Sequence, residues 1–178
     1  MSNYKSKLEK IKGFAFDVDG VFTDGSLLVQ ENGDMLRIHN AKDGFALRWA
    51  KISGYKLAIV TGADSPTILK RFQPVGIEHI YLKSRNKLPD FLDFCKKEGL
   101  TPEEVAFVGD DIPDIPVLKH CGLAVCPADA AEEVKEICDY VSIKPGGKGC
   151  VRELLEQVMK VHGKWEFDAE LYDKKYGK

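Results

Sequence analysis

The sequence predicts an α/β fold: a doubly wound parallel sheet with helices on both faces and a small β-hairpin inserted after the first strand. Three observations lead there. Short apolar runs alternate with longer stretches of helical periodicity over most of the chain. The runs are apolar throughout, as in strands covered on both faces. Ahead of the first long helical stretch, two β-like segments flank an Asn-Gly pair, the commonest short hairpin signal.

The strands are expected at Ile11–Asp17, Lys56–Thr61, His79–Lys83, Val105–Val108, Gly122–Val125 and Tyr140–Ser142. Between them, Asp43–Ser53 brings Phe45, Leu47, Trp49 and Ile52 close together on a helical surface. Ser65-Pro66 reads as an N-cap followed by proline in the first turn. Asn86–Glu98 gathers Leu88, Phe91, Leu92 and Cys95 on one face. Thr101-Pro102-Glu103-Glu104 has the capping-box pattern, and Val151, Leu154, Leu155 and Val158 mark a late amphipathic helix. The hairpin, Ser26–Gln30 and Met35–His39 around Glu31-Asn32-Gly33-Asp34, would project from the C-terminal edge of the sheet, where open α/β folds bind ligands. One domain spanning 1–178 is expected, with the insert at about 25–39 and a tail at about 164–178. The tail carries Trp165, Phe167, Leu171, Tyr172 and Tyr176, so it is expected to dock on this subunit or a neighbour.

Composition narrows the function. With 26 basic and 28 acidic residues, the net charge is -2, which speaks against a nucleic-acid binder. No apolar run approaches the roughly 20 residues of a membrane span. Met1–Lys12 is polar and lysine-rich, so no secretory leader is expected and the cytoplasm is the expected compartment. Five cysteines without CxxC spacing argue for reduced, quiet thiols rather than a disulfide framework or zinc site.

The chemistry is concentrated at strand ends. Phe14-Ala15-Phe16 runs into Asp17-Val18-Asp19-Gly20, and two carboxylates at a sheet rim stay ionised most readily beside a cation. Alone, this could be an aspartate-rich turn. Thr61-Gly62 ends the next core strand with a hydroxyl and an N–H suited to a phosphate oxygen. Lys87 sits near the start of a helix, where the dipole disfavours a cation unless an anion is at hand. Gly109-Asp110-Asp111-Ile112-Pro113-Asp114 crowds three carboxylates after another apolar strand, and hard oxygen ligands suit Mg²⁺.

In this order the four features, from Phe14 to Asp114, resemble the haloacid dehalogenase superfamily. A narrower resemblance covers nearly the whole chain. Asp17–Gly25 (DVDGVFTDG), Arg48, Thr61-Gly62, Arg71, Asn86-Lys87-Leu88, Gly109-Asp110-Asp111 and Gly146–Glu153 (GGKGCVRE) look like the bacterial 3-deoxy-D-manno-octulosonate 8-phosphate phosphatases. That resemblance implies a Rossmann-like sheet with the hairpin in place of a cap domain. It also implies Mg²⁺ dependence, a small-molecule sugar acid phosphate substrate in lipopolysaccharide sugar synthesis, and a homotetramer whose neighbours complete each active site. Two positions depart from the pattern: Ala63 stands where that family often has arginine and related nine-carbon sugar acid phosphatases tend to have glutamate, and Cys150 stands where alanine is usual.

Carried over residue by residue, the resemblance implies Asp17 as nucleophile and Asp19 as acid and base. Thr61, Gly62 and Lys87 would grip the phosphate. Asp17, Asp110 and the Asp19 carbonyl would hold the metal, supported by Asp111 or Asp114. Arg48, Arg71, Gly147 and Arg152 are candidates for the far end of the substrate, because a guanidinium meets a carboxylate as a fork. Two other classes remain open: a phospho-aspartate receiver domain and a catalytically silent scaffold. In receivers, however, the acidic pair and the phosphorylated aspartate lie on different strands.

Overall fold

The computed structural model describes residues 4–177; the first three residues and Lys178, the outer ends of the lysine-rich N-terminus and of the tail, lie outside the described residues. A first turn of helix, α1 (Lys5–Leu8), leads into β1 (Gly13–Phe16). The inserted hairpin follows as β2 (Leu28–Val29) and β3 (Met35–Leu36), then α2 (Ala41–Ile52), β4 (Lys56–Val60), α3 (Pro66–Phe72), β5 (His79–Tyr81) and α4 (Lys87–Glu98). The chain continues through β6 (Val105–Val108), α5 (Ile115–Leu118), β7 (Leu123–Cys126), α6 (Glu132–Lys135), β8 (Tyr140–Val141), α7 (Cys150–Val161) and α8 (Ala169–Tyr176).

Six strands form one sheet in the order β5-β4-β1-β6-β7-β8, every neighbouring pair parallel. The doubly wound arrangement is as expected. Each central strand sends alternate side chains to opposite layers. Phe14, Phe16, Leu57, Ile59, Ala106 and Val108 pack with α2, α3 and α7, whereas Ala15, Ala58, Val60, Val105 and Phe107 pack with α4, α5 and α6. Burial on both faces is why these runs show no polar alternation. The winding direction reverses between β1 and β6, so the crevice beyond their C-terminal ends is the switch point of the sheet.

Local signals were realised as capped ends. The Ser65 side chain accepts from the Thr67 N–H, with Pro66 opening α3. Both halves of the Thr101–Glu104 capping box form, but they close a single 3-10 turn, Pro102–Glu104, that leads straight into β6. The hairpin pairs Leu28 with Leu36 and Val29 with Met35. It does not fold down on its own sheet: Leu28 is 67% exposed, Val29 64% and Ile38 88%. The tail docks on its own subunit. Phe167 packs against Phe45 and Trp49, Tyr172 against Phe45, and the Tyr176 hydroxyl donates to the Val75 carbonyl. All five cysteines are free thiols. Among the described residues, no helix is long and apolar enough to cross a membrane.

Candidate active site

Three strand ends meet at the switch point. Asp17 directly follows β1, and its N–H donates to the Val108 carbonyl at 3.0 Å, so β1–β6 pairing fixes where its carboxylate emerges. Thr61 directly follows β4 and is tied on both sides, its N–H donating to the Tyr81 carbonyl and its carbonyl accepting from the Ser84 N–H. Asp110 follows β6 by one glycine, and its carbonyl is held by the Ala131 N–H at 2.9 Å. Lys87 opens α4 and reaches back across the crevice. These groups line a cleft of about 470 Å³ together with Asp19, Gly62, Ala63, Ser84, Arg85, Asp111 and Asp114.

The loop after β1 owes its shape to two residues. Thr23 is fully buried, and its hydroxyl accepts from the N–H groups of Gly20 and Gly25, both at 3.2 Å. Gly20 has φ +83°, and a Cβ there would come within 1.9 Å of the Asp110 carboxylate. Glycine is therefore required both for the left-handed turn and for the approach of the second acidic loop.

Charge in the cleft is one-sided. Asp17, Asp110 and Asp114 each place a carboxylate oxygen within 4.8 Å of the others. Against them stands Lys87, whose Nζ lies 2.6 Å from Asp114 Oδ1 and 3.0 Å from Asp17 Oδ2. Burial, then the charge of Asp114, lifts the Asp17 carboxyl to about 6 despite the pull of Lys87. Burial, then the charges of Asp17 and Asp114, lifts Asp110 to about 8. Burial works against the Lys87 ammonium, but Asp17 and Asp114 outweigh it and its pKa is raised. Two buried oxygens, Asp17 Oδ1 and Asp110 Oδ1, have no hydrogen-bond partner. Buried, orphaned carboxylate oxygens within a crowded acidic cluster are the donor set of a hard divalent cation.

The structure separates the five aspartates expected at the metal. Asp17 and Asp110 supply the orphaned oxygens. Asp114 is in the cluster, but both of its oxygens are already used: Oδ1 accepts from Lys87, and Oδ2 accepts from the N–H groups of Asp110 and Asp111. It braces the loop that carries Asp110. The Asp111 carboxylate turns away to accept from the Ile112 N–H at 2.8 Å, because it caps the 3-10 turn Ile112–Asp114. The Asp19 carboxylate also lies outside the cluster, drawn off by Arg37 at 2.6 Å. Neither carboxylate is placed as a direct ligand.

The residues expected at the far end of the substrate are not brought to this cleft in their own chain. Arg48 lies over the Tyr176 ring, and Arg71 lies against Gly44 and over Phe72. Arg152 lies over Phe45 and Trp165. All three sit on helices, and the aromatic packing around α2 decides which way they point. The Gly147 N–H donates to the Val21 carbonyl, and its loop supports the turn from behind: a Cβ on neighbouring Gly146 would fall 2.0 Å from the Gly20 carbonyl oxygen. Sequence reasoning missed Arg85, Ser84 and Arg37. Ser84-Arg85 lie just before Asn86-Lys87 in the β5–α4 connection, and that position at the C-terminal rim was the available signal.

Fold and site together define a hydrolase of the haloacid dehalogenase-like family, whose family model matches residues 28–122. Among curated proteins the chain is 39% identical over 159 residues to the 3-deoxy-D-manno-octulosonate 8-phosphate phosphatase KdsC of Escherichia coli K12, covering 89% of this chain and 85% of that protein. It is 35% identical to the Haemophilus influenzae phosphatase KdsC over 160 residues, 90% of this chain and 89% of that one. The crystal structure of the phosphatase of the same name from Yersinia pestis superposes with a TM-score of 0.89 at 31% identity, covering 92% of this chain and 88% of that one. The Moraxella catarrhalis phosphatase, solved with magnesium, phosphate and KDO, superposes with a TM-score of 0.86 at 34% identity, covering 90% and 92%. The chain belongs to this family of 3-deoxy-D-manno-octulosonate 8-phosphate phosphatases and is a phosphoric monoester hydrolase.

Proposed function

We propose that the protein hydrolyses 3-deoxy-D-manno-octulosonate 8-phosphate to the free sugar acid and inorganic phosphate, with Mg²⁺ as cofactor and Asp17 as nucleophile. One observation carries the reading. Asp17 lines the cleft with one oxygen on Lys87 and the other unpartnered, and it shares a carboxylate cluster with Asp110, which also has an unpartnered oxygen. The relatives' names, and the magnesium and KDO in the Moraxella catarrhalis complex, support the choice of metal and substrate.

Asp17 and Asp110 would hold Mg²⁺ through their free oxygens, joined by the Asp19 carbonyl. When bound, the ion would neutralise the repulsion between Asp17 and a phosphate dianion and favour the charged form of both carboxylates. Asp17 attacks phosphorus in line and takes the phosphoryl group, which divides one difficult displacement into two. Lys87 and the Thr61 hydroxyl, with the Gly62 N–H, face the non-bridging oxygens and match their charge in the transition state. Asp19 gives a proton to the departing sugar oxygen, then takes one from the water that hydrolyses phospho-Asp17.

A homotetramer is part of the proposal, as is a cytoplasmic location. The apolar hairpin stands exposed at the rim of the cleft, more than a lone two-stranded hairpin carries comfortably in water. Hairpins packed together would cover this surface and roof the sites, and a neighbour could supply cations that the chain does not bring to its own cleft. The test is phosphate release from the eight-carbon ester with Mg²⁺ and with chelator, followed by acid quench and mass spectrometry. Metal-dependent release with phosphate on Asp17 is expected; full activity in chelator, or phosphate on Asp110, would overturn the reading.

A further inference from the structure

The hairpin carries one charge that does not face solvent. Arg37 directly follows β3, and its side chain is only 5% exposed. Its guanidinium meets Asp19 as a fork, Nε donating to Oδ1 at 2.6 Å and Nη2 to Oδ2 at 2.8 Å. A third donor, Nη1, reaches the Met35 carbonyl at 3.1 Å and ties the fork to the hairpin backbone. Asp19 remains 31% exposed. It lines both the phosphate cleft and an adjoining cavity of about 470 Å³ between the hairpin and the β4–α3 loop.

We propose that Arg37 is a positioning residue for the second half-reaction, holding Asp19 as the base that deprotonates the hydrolytic water; this rests on the functional reading above. A bidentate guanidinium fixes the plane and the position of the carboxylate it grips. It uses one lone-pair direction on each oxygen and leaves the others open, since a carboxylate offers about four. The step balances without a further reactant. The water oxygen bonds to phosphorus, the bond from phosphorus to the Asp17 oxygen breaks, and its electron pair returns to the Asp17 carboxylate. The water proton passes to Asp19, which donates it to the leaving oxygen of the next substrate. Because Arg37 is anchored to the hairpin, displacement of the hairpin would move the base, while Asp17 and Lys87 stay fixed by the sheet and α4.

An aryl phosphate separates the two half-reactions, because its leaving group departs without a proton. With p-nitrophenyl phosphate and Mg²⁺, kcat/KM reports formation of phospho-Asp17, whereas a slowed hydrolysis appears in kcat. The full-length Arg37→Met enzyme should lose about tenfold or more in kcat, with KM falling in parallel and kcat/KM within about threefold of wild type. Acid quench should show phosphate accumulating on Asp17, less so in Arg37→Lys, which keeps the charge and one contact. The preserved kcat/KM itself reports a folded site. Equal losses in kcat and kcat/KM without accumulation, or no change in either, would overturn the proposal. The wild type is measured first in the same assay. A failure of the functional reading therefore shows there, and a failure of this inference shows only in the variants.

Discussion

Replacing Lys87 with methionine keeps the length of the stem and removes the ammonium that pairs with Asp17 and Asp114 in the acidic cluster. Lys87 and Asp114 are 5% and 1% exposed in their side chains, and Asp17 is 11% exposed, so water cannot take over the lost pairing. Removing one partner of a buried ion pair costs about 3–5 kcal/mol, chiefly because a charge is left uncompensated. For a chain of this length each kcal/mol lowers the melting temperature by about 2–4 °C, so a fall of roughly 6–20 °C is expected in chelator. Proton uptake offsets part of it. Asp17 and Asp110 are already raised to about 6 and about 8, and loss of Lys87 removes a force that lowers both. A carboxyl raised in the folded state binds more protons there than in the unfolded chain, so stability falls as pH rises from about 4 towards 8. The variant's deficit should therefore be larger at the upper end of that window and shrink towards its acid end. Turnover should fall by about 10²–10³, as for loss of a preorganised donor to a developing charge. The double variant Lys87→Met/Asp114→Asn should regain stability but not turnover. Calorimetry in chelator and phosphate release with Mg²⁺ measure the two effects. A Lys87→Met protein that melts within about 2 °C of wild type, or turns over within about threefold of it, would refute the reasoning.

Asp17→Asn should abolish phosphate release in a folded protein, and in chelator it should melt no lower than wild type, because it removes a charge from a crowded buried cluster; residual turnover near wild type would exclude Asp17 as nucleophile. Charged residues at Leu28 and Leu36 should give smaller oligomers on sedimentation, with activity lost on the eight-carbon sugar acid phosphate more than on a small generic ester. A monomer with wild-type selectivity would contradict the roofing role of the hairpins. His39 is depressed to about 4 by burial and then by Arg71 and Arg37. The unfolded chain therefore binds the extra proton between about 6.5 and 4, and stability drains as pH falls through that window. His39→Phe should flatten that part of the profile in chemical denaturation, and an unchanged slope would assign the loss elsewhere.

What was legible in the sequence follows from how locally each feature is determined. Phe16-Asp17, Val60-Thr61 and Val108-Gly109-Asp110 are each an apolar strand running into a functional group. Parallel pairing of such strands leaves those groups at one edge, whatever the surrounding helices do. Lys87 was legible because a cation at a helix start goes against the dipole. The arginines were not. Arg48, Arg71 and Arg152 stand on helices whose rotation is set by the packing of Phe45, Trp49 and the tail, and no local pattern encodes which way they point. Arg37 was hidden for the opposite reason. In a short hairpin with Glu31, Asn32 and Asp34 it reads as a solvated charge, and only the fold of the insert over the β1 loop brings it to Asp19. Gly147 was a candidate for the far end of the substrate, whereas the structure uses Gly146 and Gly147 to let two backbones approach behind the site.

Hydrolysis of an eight-carbon sugar acid phosphate in this cleft is measured as kcat/KM for Mg²⁺-dependent phosphate release across three esters. These are 3-deoxy-D-manno-octulosonate 8-phosphate, a nine-carbon ulosonate 9-phosphate and a hexose 6-phosphate. Ala63, at a position where neither the arginine nor the glutamate of the related patterns is present, makes the comparison of the first two decisive for substrate. The highest kcat/KM is expected for the eight-carbon ester, at least about tenfold above the hexose phosphate, a difference of about 1.4 kcal/mol in transition-state binding. A hexose phosphate turned over as well as the eight-carbon ester, or a clear preference for the nine-carbon one, would contradict it.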